Sequence, residues 1–224
     1  MAAAGSATIV GIDEAGRGSW LGPLVVGAVA IPADRLPEIA GAGARDSKLL
    51  SPPARAAVYA RLARFADCRS VALAPATIDR AVAKGELNRL EAEAFARLVR
   101  ASGAEVAYVD ACDPVAERFG RTVAALAGGA VRVVARHRAD RDLPIVGAAS
   151  VVAKVRRDQA IARLAGRLGA PIGSGYPSDG ATVAFVRGAV EPGRRPPPWL
   201  RASWATTKRV IGARPGPTLE RFGA

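Results

Sequence analysis

Four acidic residues occupy positions where a strand would give way to a turn. Asp13 and Glu14 stand between an apolar run over 7–13 and a glycine-rich stretch over 14–19. Asp110 ends the run Val106-Ala107-Tyr108-Val109-Asp110, and Asp140 closes His137-Arg138-Ala139-Asp140. Acids at such junctions converge at one edge of a sheet, the usual place for a site in an α/β fold. Taken singly, each reads as a helix cap or turn former, as Asp113 before Pro114 does. Taken together, four carboxylates would repel one another and raise each other's pKa values unless cations lay among them. Hard divalent cations with oxygen ligands answer that need, and Mg²⁺ or Mn²⁺ fits best. Two such ions about 3.5–4 Å apart would activate a water and stabilise the leaving oxygen of an in-line displacement at phosphorus. One geometric condition applies. Neighbours in a regular strand face opposite ways, so Asp13 and Glu14 share a site only if the strand breaks there.

The elements that must hold these acids follow from periodicity. Residues 7–13 and the continuously apolar 24–31 predict two buried strands joined by an elaborate turn. Ser51 before Pro52 marks a helix start, continued by Ala54, Val58, Leu62 and Phe65. Further strands are expected over 69–74, 106–110 and 131–135. Helices are expected over 77–83, from Asn88 with Glu91 as a capping box, and from Asp113-Pro114 to about 126. A long helix runs from Pro144 through Ile145, Ala149, Val152, Ile161 and Leu164 to Leu168. Beyond Gly169 glycine and proline cluster, with helices expected over 180–187 and 200–211. The fold class is therefore α/β, a sheet flanked by helices, with a core over 1–170, a helical extension over 171–211 and a flexible tail over 212–224.

Composition limits the chemistry. The 224 residues suit one α/β domain with a small appendage, and half of them are apolar, enough for a sizeable core. Two cysteines, Cys68 and Cys112, offer neither a disulfide framework nor zinc spacing, so a reducing cytoplasm is expected. A single histidine, His137, argues against histidine-rich metal sites and against a serine–histidine triad. No apolar run is long enough for a membrane span, and residues 1–6 lack the features of a secretory signal. A net charge of +12 points to a polyanion partner, though an arginine-rich composition alone would also produce it.

The run Gly11-Ile12-Asp13-Glu14-Ala15-Gly16-Arg17-Gly18 resembles the signature of the ribonuclease HII family, the type 2 ribonucleases H. Gly22-Pro23-Leu24, Asp46-Ser47-Lys48, Asp110, the segment ending at Asp140, Ala148-Ala149-Ser150 through Lys154, and Gly173 to Asp179 follow in the family's order, over about 7–207. Their details look more like the archaeal branch. The resemblance implies a ribonuclease H-like fold with a five-stranded mixed sheet. It also implies an endonuclease that cuts the RNA strand of RNA–DNA hybrids and cuts at ribonucleotides within duplex DNA, leaving 3′-hydroxyl and 5′-phosphate ends. Asp13, Glu14, Asp110 and Asp140 match the family's metal-binding catalytic carboxylates. The resemblance implies substrate contacts for Lys48 and Tyr176 as well, the tyrosine stacking on the deoxyribose beside the ribonucleotide.

Physical roles stand beside that carry-over. A backbone bare of bulk at Gly16 and Gly18 lets a sugar approach closely, and the 2′-hydroxyl is what distinguishes RNA from DNA. Arg17 offers a fork of donors to a phosphate. Lys154 either faces nucleic acid or pairs with Asp158 one turn on. Arg194, Arg195, Arg201, Lys208 and Arg209, interleaved with Trp199 and Trp204, could form a duplex-binding face, the tryptophans reading as packing anchors. His137 and Cys112 are expected to be structural. Leu219 and Phe222 have the spacing of a one-turn hydrophobic plug, similar to a sliding-clamp-binding peptide, although Gly216 stands where glutamine is usual. A monomer is expected. The rivals are a non-catalytic nucleic-acid-binding module, which would not need four acids in register, and another nuclease of the same superfold such as a junction resolvase.

Overall fold

The computed structural model describes residues 6–44, 50–191 and 194–212. Lys48, Leu219 and Phe222 lie outside the described residues. The elements, in chain order, are β1 (Thr8–Ala15), β2 (Leu24–Pro32), a 3-10 turn (Ala33–Arg35), α1 (Leu36–Gly41), α2 (Pro52–Leu62), β3 (Asp67–Leu73), α3 (Pro75–Ala83), α4 (Leu87–Ser102), β4 (Val106–Asp110), α5 (Ala116–Ala127), β5 (Arg132–Arg136), α6 (Ala139–Asp142), α7 (Pro144–Leu168), α8 (Gly180–Ala189) and α9 (Ala205–Gly212). The sheet order is β3-β2-β1-β4-β5, with β1, β2 and β3 antiparallel and β1, β4 and β5 parallel. This is the expected five-stranded mixed sheet. The small helices α1 and α6 escaped prediction because each is too short to show a period.

Both faces of the sheet are covered, which explains the unbroken apolarity of β2. On one face Val10, Ile12, Leu24, Val26, Ala107 and Val109 pack against α4 and α5 through Ala92, Phe95, Val99, Phe119 and Val123. On the other, Ile9, Val29 and Ile31 pack against α7 through Ile145, Val146, Ala149 and Val152. Helix α7 lies almost on the sheet backbone. A Cβ at Gly11 would come 2.2 Å from the Ile145 carbonyl oxygen, and one at Gly27 would come 2.5 Å from the Ala153 nitrogen. Small residues on both sides permit that approach, and it carries Ser150 and Lys154 to the Asp13 end of β1.

A third cluster joins the segment after Gly169 to the body. Ile172, Val186, Val190 and Leu200 pack with Trp20 and Leu21 and with Ile161 and Leu164 of α7. Asp79 of α3 ties the same segment down by accepting from the Ala202 and Ser203 backbone nitrogens, each at 3.0 Å.

Three local expectations are corrected. Asn88 and Glu91 do not form a capping box: α4 begins after Glu86 with no side-chain cap, and both side chains reach Arg17 instead. Asp113 is not the cap of α5, whose N-cap is Val115. It accepts from the Val115 nitrogen at 2.8 Å and also binds Asn88 and Arg118. The strand carrying Asp13 and Glu14 does not break, since the β1–β2 ladder continues through Glu14↔Val26 to Ala15↔Val25.

Candidate active site

Strand periodicity decides which acids meet. In β1 the odd positions Ile9, Gly11 and Asp13 face α7, while Val10, Ile12 and Glu14 face α4. The parallel register Ile12↔Val109 puts Asp110 beside Asp13 on the α7 face. Asp140 arrives from α6, whose N-cap Arg138 has φ +59°, a left-handed conformation uncommon for a residue with a Cβ. That turn lets the Ala139 nitrogen donate to Asp110 Oδ1 at 2.9 Å. Carboxylate oxygens of Asp13, Asp110 and Asp140 consequently lie within 4.8 Å of one another.

Glu14 does not belong to that set of three. Its carboxyl leaves toward Glu91 on the other face, yet at the end of the strand it still touches Asp13 and feels Asp110. Burial raises the Glu14 carboxyl well above the usual carboxylate range, with Asp13, Glu91 and Asp110 adding to the effect. Burial also raises Asp13, opposed by a hydrogen bond from Ser150, by Lys154 and by the Glu14 backbone nitrogen, which donates to Asp13 Oδ1 at 2.8 Å. Lys154 donates to Ser150. It thus serves the acidic cluster and does not pair with Asp158, which binds Arg55 at 2.7 Å.

The donor set fits a hard divalent cation. Every candidate ligand is a carboxylate oxygen, Asp13 and Asp140 are buried, and Glu14 Oε2 is buried with no hydrogen bond.

The glycine-rich turn lies beside these acids. Gly16 has φ +86°, and a Cβ there would come 2.3 Å from Arg157 Nε. The Arg157 side chain is buried beneath the turn. It donates to the Ser174 carbonyl at 2.9 Å, and its guanidinium lies 4.3 Å from the centre of the Tyr176 ring. Tyr176 is therefore half-buried on an arginine instead of fully exposed. Its loop is shaped by Asp179, which accepts from Ser174 and Ala181 and is pulled down to about 2 by those bonds, the Ser174 backbone first.

Arg17 is not a free fork. Its Nε donates to Glu91 at 2.9 and 3.0 Å, and its Nη2 donates to Asn88 Oδ1 at 2.7 Å. Arg201 was expected on a duplex-binding face, but it is fully buried. It donates to the carbonyl oxygens of Arg17 at 2.7 Å and Gly22 at 3.2 Å, with burial lowering it to about 10. Arg194, Arg195, Lys208 and Arg209 are exposed. His137 is exposed near the Ala111 carbonyl, and Cys112 is half-buried against Glu91. Sequence reasoning missed Glu91, Arg157 and Arg201 as parts of this site. Their partners lie 74, 17 and 184 residues away, so no local pattern could reveal them.

A family model described as Ribonuclease HII matches residues 10–207. The chain belongs to the ribonuclease HII family. It is thus a type 2 ribonuclease H, a divalent-metal-dependent enzyme of the ribonuclease H-like fold. It is 43% identical to the ribonuclease HII of Cenarchaeum symbiosum over 90% of this chain and 97% of that one. It is 44% identical to that of Thermofilum pendens over 90% and 98%. The ribonuclease H2 structure from Pyrococcus horikoshii superposes with a TM-score of 0.83 at 33% identity, over 91% of this chain and 97% of that one. Ribonuclease HII in a complex with PCNA from Archaeoglobus fulgidus superposes with a TM-score of 0.81 at 33% identity, over 96% and 100%. These relatives place the chain in the archaeal branch. Among the described residues, no helix is long and apolar enough to cross a membrane.

Proposed function

We propose that this enzyme hydrolyses the RNA strand of RNA–DNA hybrids and cuts 5′ to ribonucleotides embedded in duplex DNA, leaving 3′-hydroxyl and 5′-phosphate ends. The observation that carries this reading is the convergence of Asp13, Asp110 and Asp140 within 4.8 Å, beside a glycine-rich turn with open space at Gly18. Asp13, Asp110 and Asp140 would hold Mg²⁺ or Mn²⁺, with Glu14 completing the set from the far side of the strand. Bound there, two such ions supply an activated water and neutralise charge on the leaving oxygen.

The chain's own groups do the selecting. The Gly16–Gly18 backbone admits a sugar closely, with open space around Gly18, so a 2′-hydroxyl there can be read by backbone atoms. Tyr176, its ring set by Arg157 below, offers its other face for stacking on the neighbouring deoxyribose. Arg17 directs donors at a phosphate, and Lys48 serves the same backbone. Lys154 balances the acids from beneath.

The test is cleavage of a duplex with one embedded ribonucleotide, beside an all-DNA duplex, with Mg²⁺, Mn²⁺ or chelator. A single cut 5′ to the ribonucleotide, lost in chelator while duplex binding persists, is expected. Cutting of the all-DNA duplex, or binding without cutting in either metal, would overturn the reading in favour of a different nuclease of the same superfold or a passive binder. We also propose a sliding clamp as partner through Leu219 and Phe222, which the Archaeoglobus complex supports by likeness. Equal retention on the cognate clamp with and without residues 216–224 would refute it.

A further inference from the structure

Glu91 presents a problem in electrostatics. It is fully buried on α4, between Ala92 and Leu90, and its carboxylate faces the acidic Glu14 across the sheet end. Burial raises its pKa, so the charged form is held at a cost, and its nearest compensation is Arg17. An ion pair of this kind is a weak source of stability, because apolar residues of similar volume commonly do as well. A fifth carboxylate close to the acids of a site that must accept a polyanion also disfavours substrate binding by itself. Both considerations point away from a purely structural role.

The geometry shows what the carboxylate accomplishes. Arg17 is tied at three points. Both Glu91 oxygens accept from its Nε at 2.9 and 3.0 Å, Asn88 Oδ1 accepts from Nη2 at 2.7 Å, and its own carbonyl accepts from Arg201 at 2.7 Å. A planar guanidinium held at Nε and Nη2 has no remaining rotation. Among the described residues, nothing accepts from Nη1, and the side chain remains 37% exposed. The fork is therefore fixed in one orientation on a part-exposed side chain, with Nη1 left to take a partner from outside the protein.

We infer that Glu91 is a positioning residue that orients Arg17 so that its Nη1 edge takes a backbone phosphate of the strand being cut. The inference rests on the cleavage reading above and names a determinant within it. Glu91 touches no substrate and acts only through Arg17. Pre-setting the fork saves the rotamer entropy that a free arginine would lose on binding, so the benefit appears in substrate affinity.

The test is a double-mutant cycle on the full chain, with wild type, Glu91→Gln, Arg17→Gln and the double variant cutting the single-ribonucleotide duplex in Mg²⁺ or Mn²⁺. Glu91→Gln is expected to lower kcat/KM by about tenfold or more, mostly through KM, in the presence of Arg17. In the Arg17→Gln background it should change kcat/KM by less than about twofold. A structural residue would lower both backgrounds equally, and that result, or wild-type KM for Glu91→Gln, overturns the inference. Should Glu91→Gln fail to fold at the assay temperature, Arg17→Lys decides. It keeps the charge but lacks the fork, and is expected to be as impaired as Arg17→Gln; wild-type KM for Arg17→Lys overturns the inference. Failure of wild type to cut at the ribonucleotide defeats the cleavage reading itself, whereas an additive cycle in a cutting enzyme defeats only this one.

Discussion

Replacing Asp110 by asparagine should stabilise the metal-free protein while abolishing its activity. Carboxylate oxygens of Asp13, Asp110 and Asp140 come within 4.8 Å of one another, and at an effective dielectric of about 20 two unit charges at that distance repel by about 3.5 kcal/mol. The Asp110→Asn substitution would remove two of the three repulsions, about 7 kcal/mol before any compensation. Lys154 and the hydrogen bonds from Ser150 and the Glu14 nitrogen to Asp13 offset much of this in the wild type, leaving a net gain of about 1–2 kcal/mol. The amide oxygen can still accept from the Ala139 nitrogen, so the α6 turn survives. The gain corresponds to about 2–8 °C in Tm for a chain of this size. The assay is thermal unfolding near neutral pH in chelator and again in excess Mn²⁺ or Mg²⁺, with duplex cleavage alongside. In chelator the variant should melt higher. In metal the order should reverse, because the wild type gains about 2.7 kcal/mol at a hundredfold excess over Kd. Equal destabilisation of the variant in both conditions would refute the reasoning, for it would mean that hydrogen bonds and not mutual repulsion govern these carboxylates.

Three further outcomes are expected. The metal-free wild type should lose stability as pH rises above the ordinary carboxylate range, about 4. Asp13, Glu14 and Glu91 hold protons more tightly folded than unfolded, so the loss starts in the ordinary carboxylate range and runs up through their raised values; a flat Tm across that window in chelator would contradict it. Tyr176→Ala should lower kcat/KM at a single ribonucleotide by about tenfold or more, the contribution of one stacked ring, with little change in Tm; unchanged turnover refutes the stacking role. Arg201→Met should cost about 2–4 kcal/mol by leaving the Arg17 and Gly22 carbonyls without their donor, and cleavage should fall with it; calorimetry showing wild-type stability would disprove the clasp.

Read residue by residue, the chain already specified the alternation of strands and helices, the bounds of β4 and α7, the Ser51 cap and the positions near strand ends of three aspartates that the fold brings together. These rest on local chemistry: apolar period, proline and cap residues act over a few positions. The glycine-rich turn and the Gly173–Asp179 segment were legible for the same reason. Packing settled the rest. Strand parity, read against the sheet's two coverings, put Asp13 with Asp110 and sent Glu14 toward Glu91, where the linear chain could only pose the question. Arg17, expected to be free, became a fixed fork; Arg201, expected on the surface, became a buried clasp; and Arg157 became the floor under Tyr176. An arginine carries the same local signal whether it faces solvent or a carbonyl across the fold. Which it meets depends on how α4, α7 and the C-terminal segment pack around one turn, and that arrangement is a property of the whole chain.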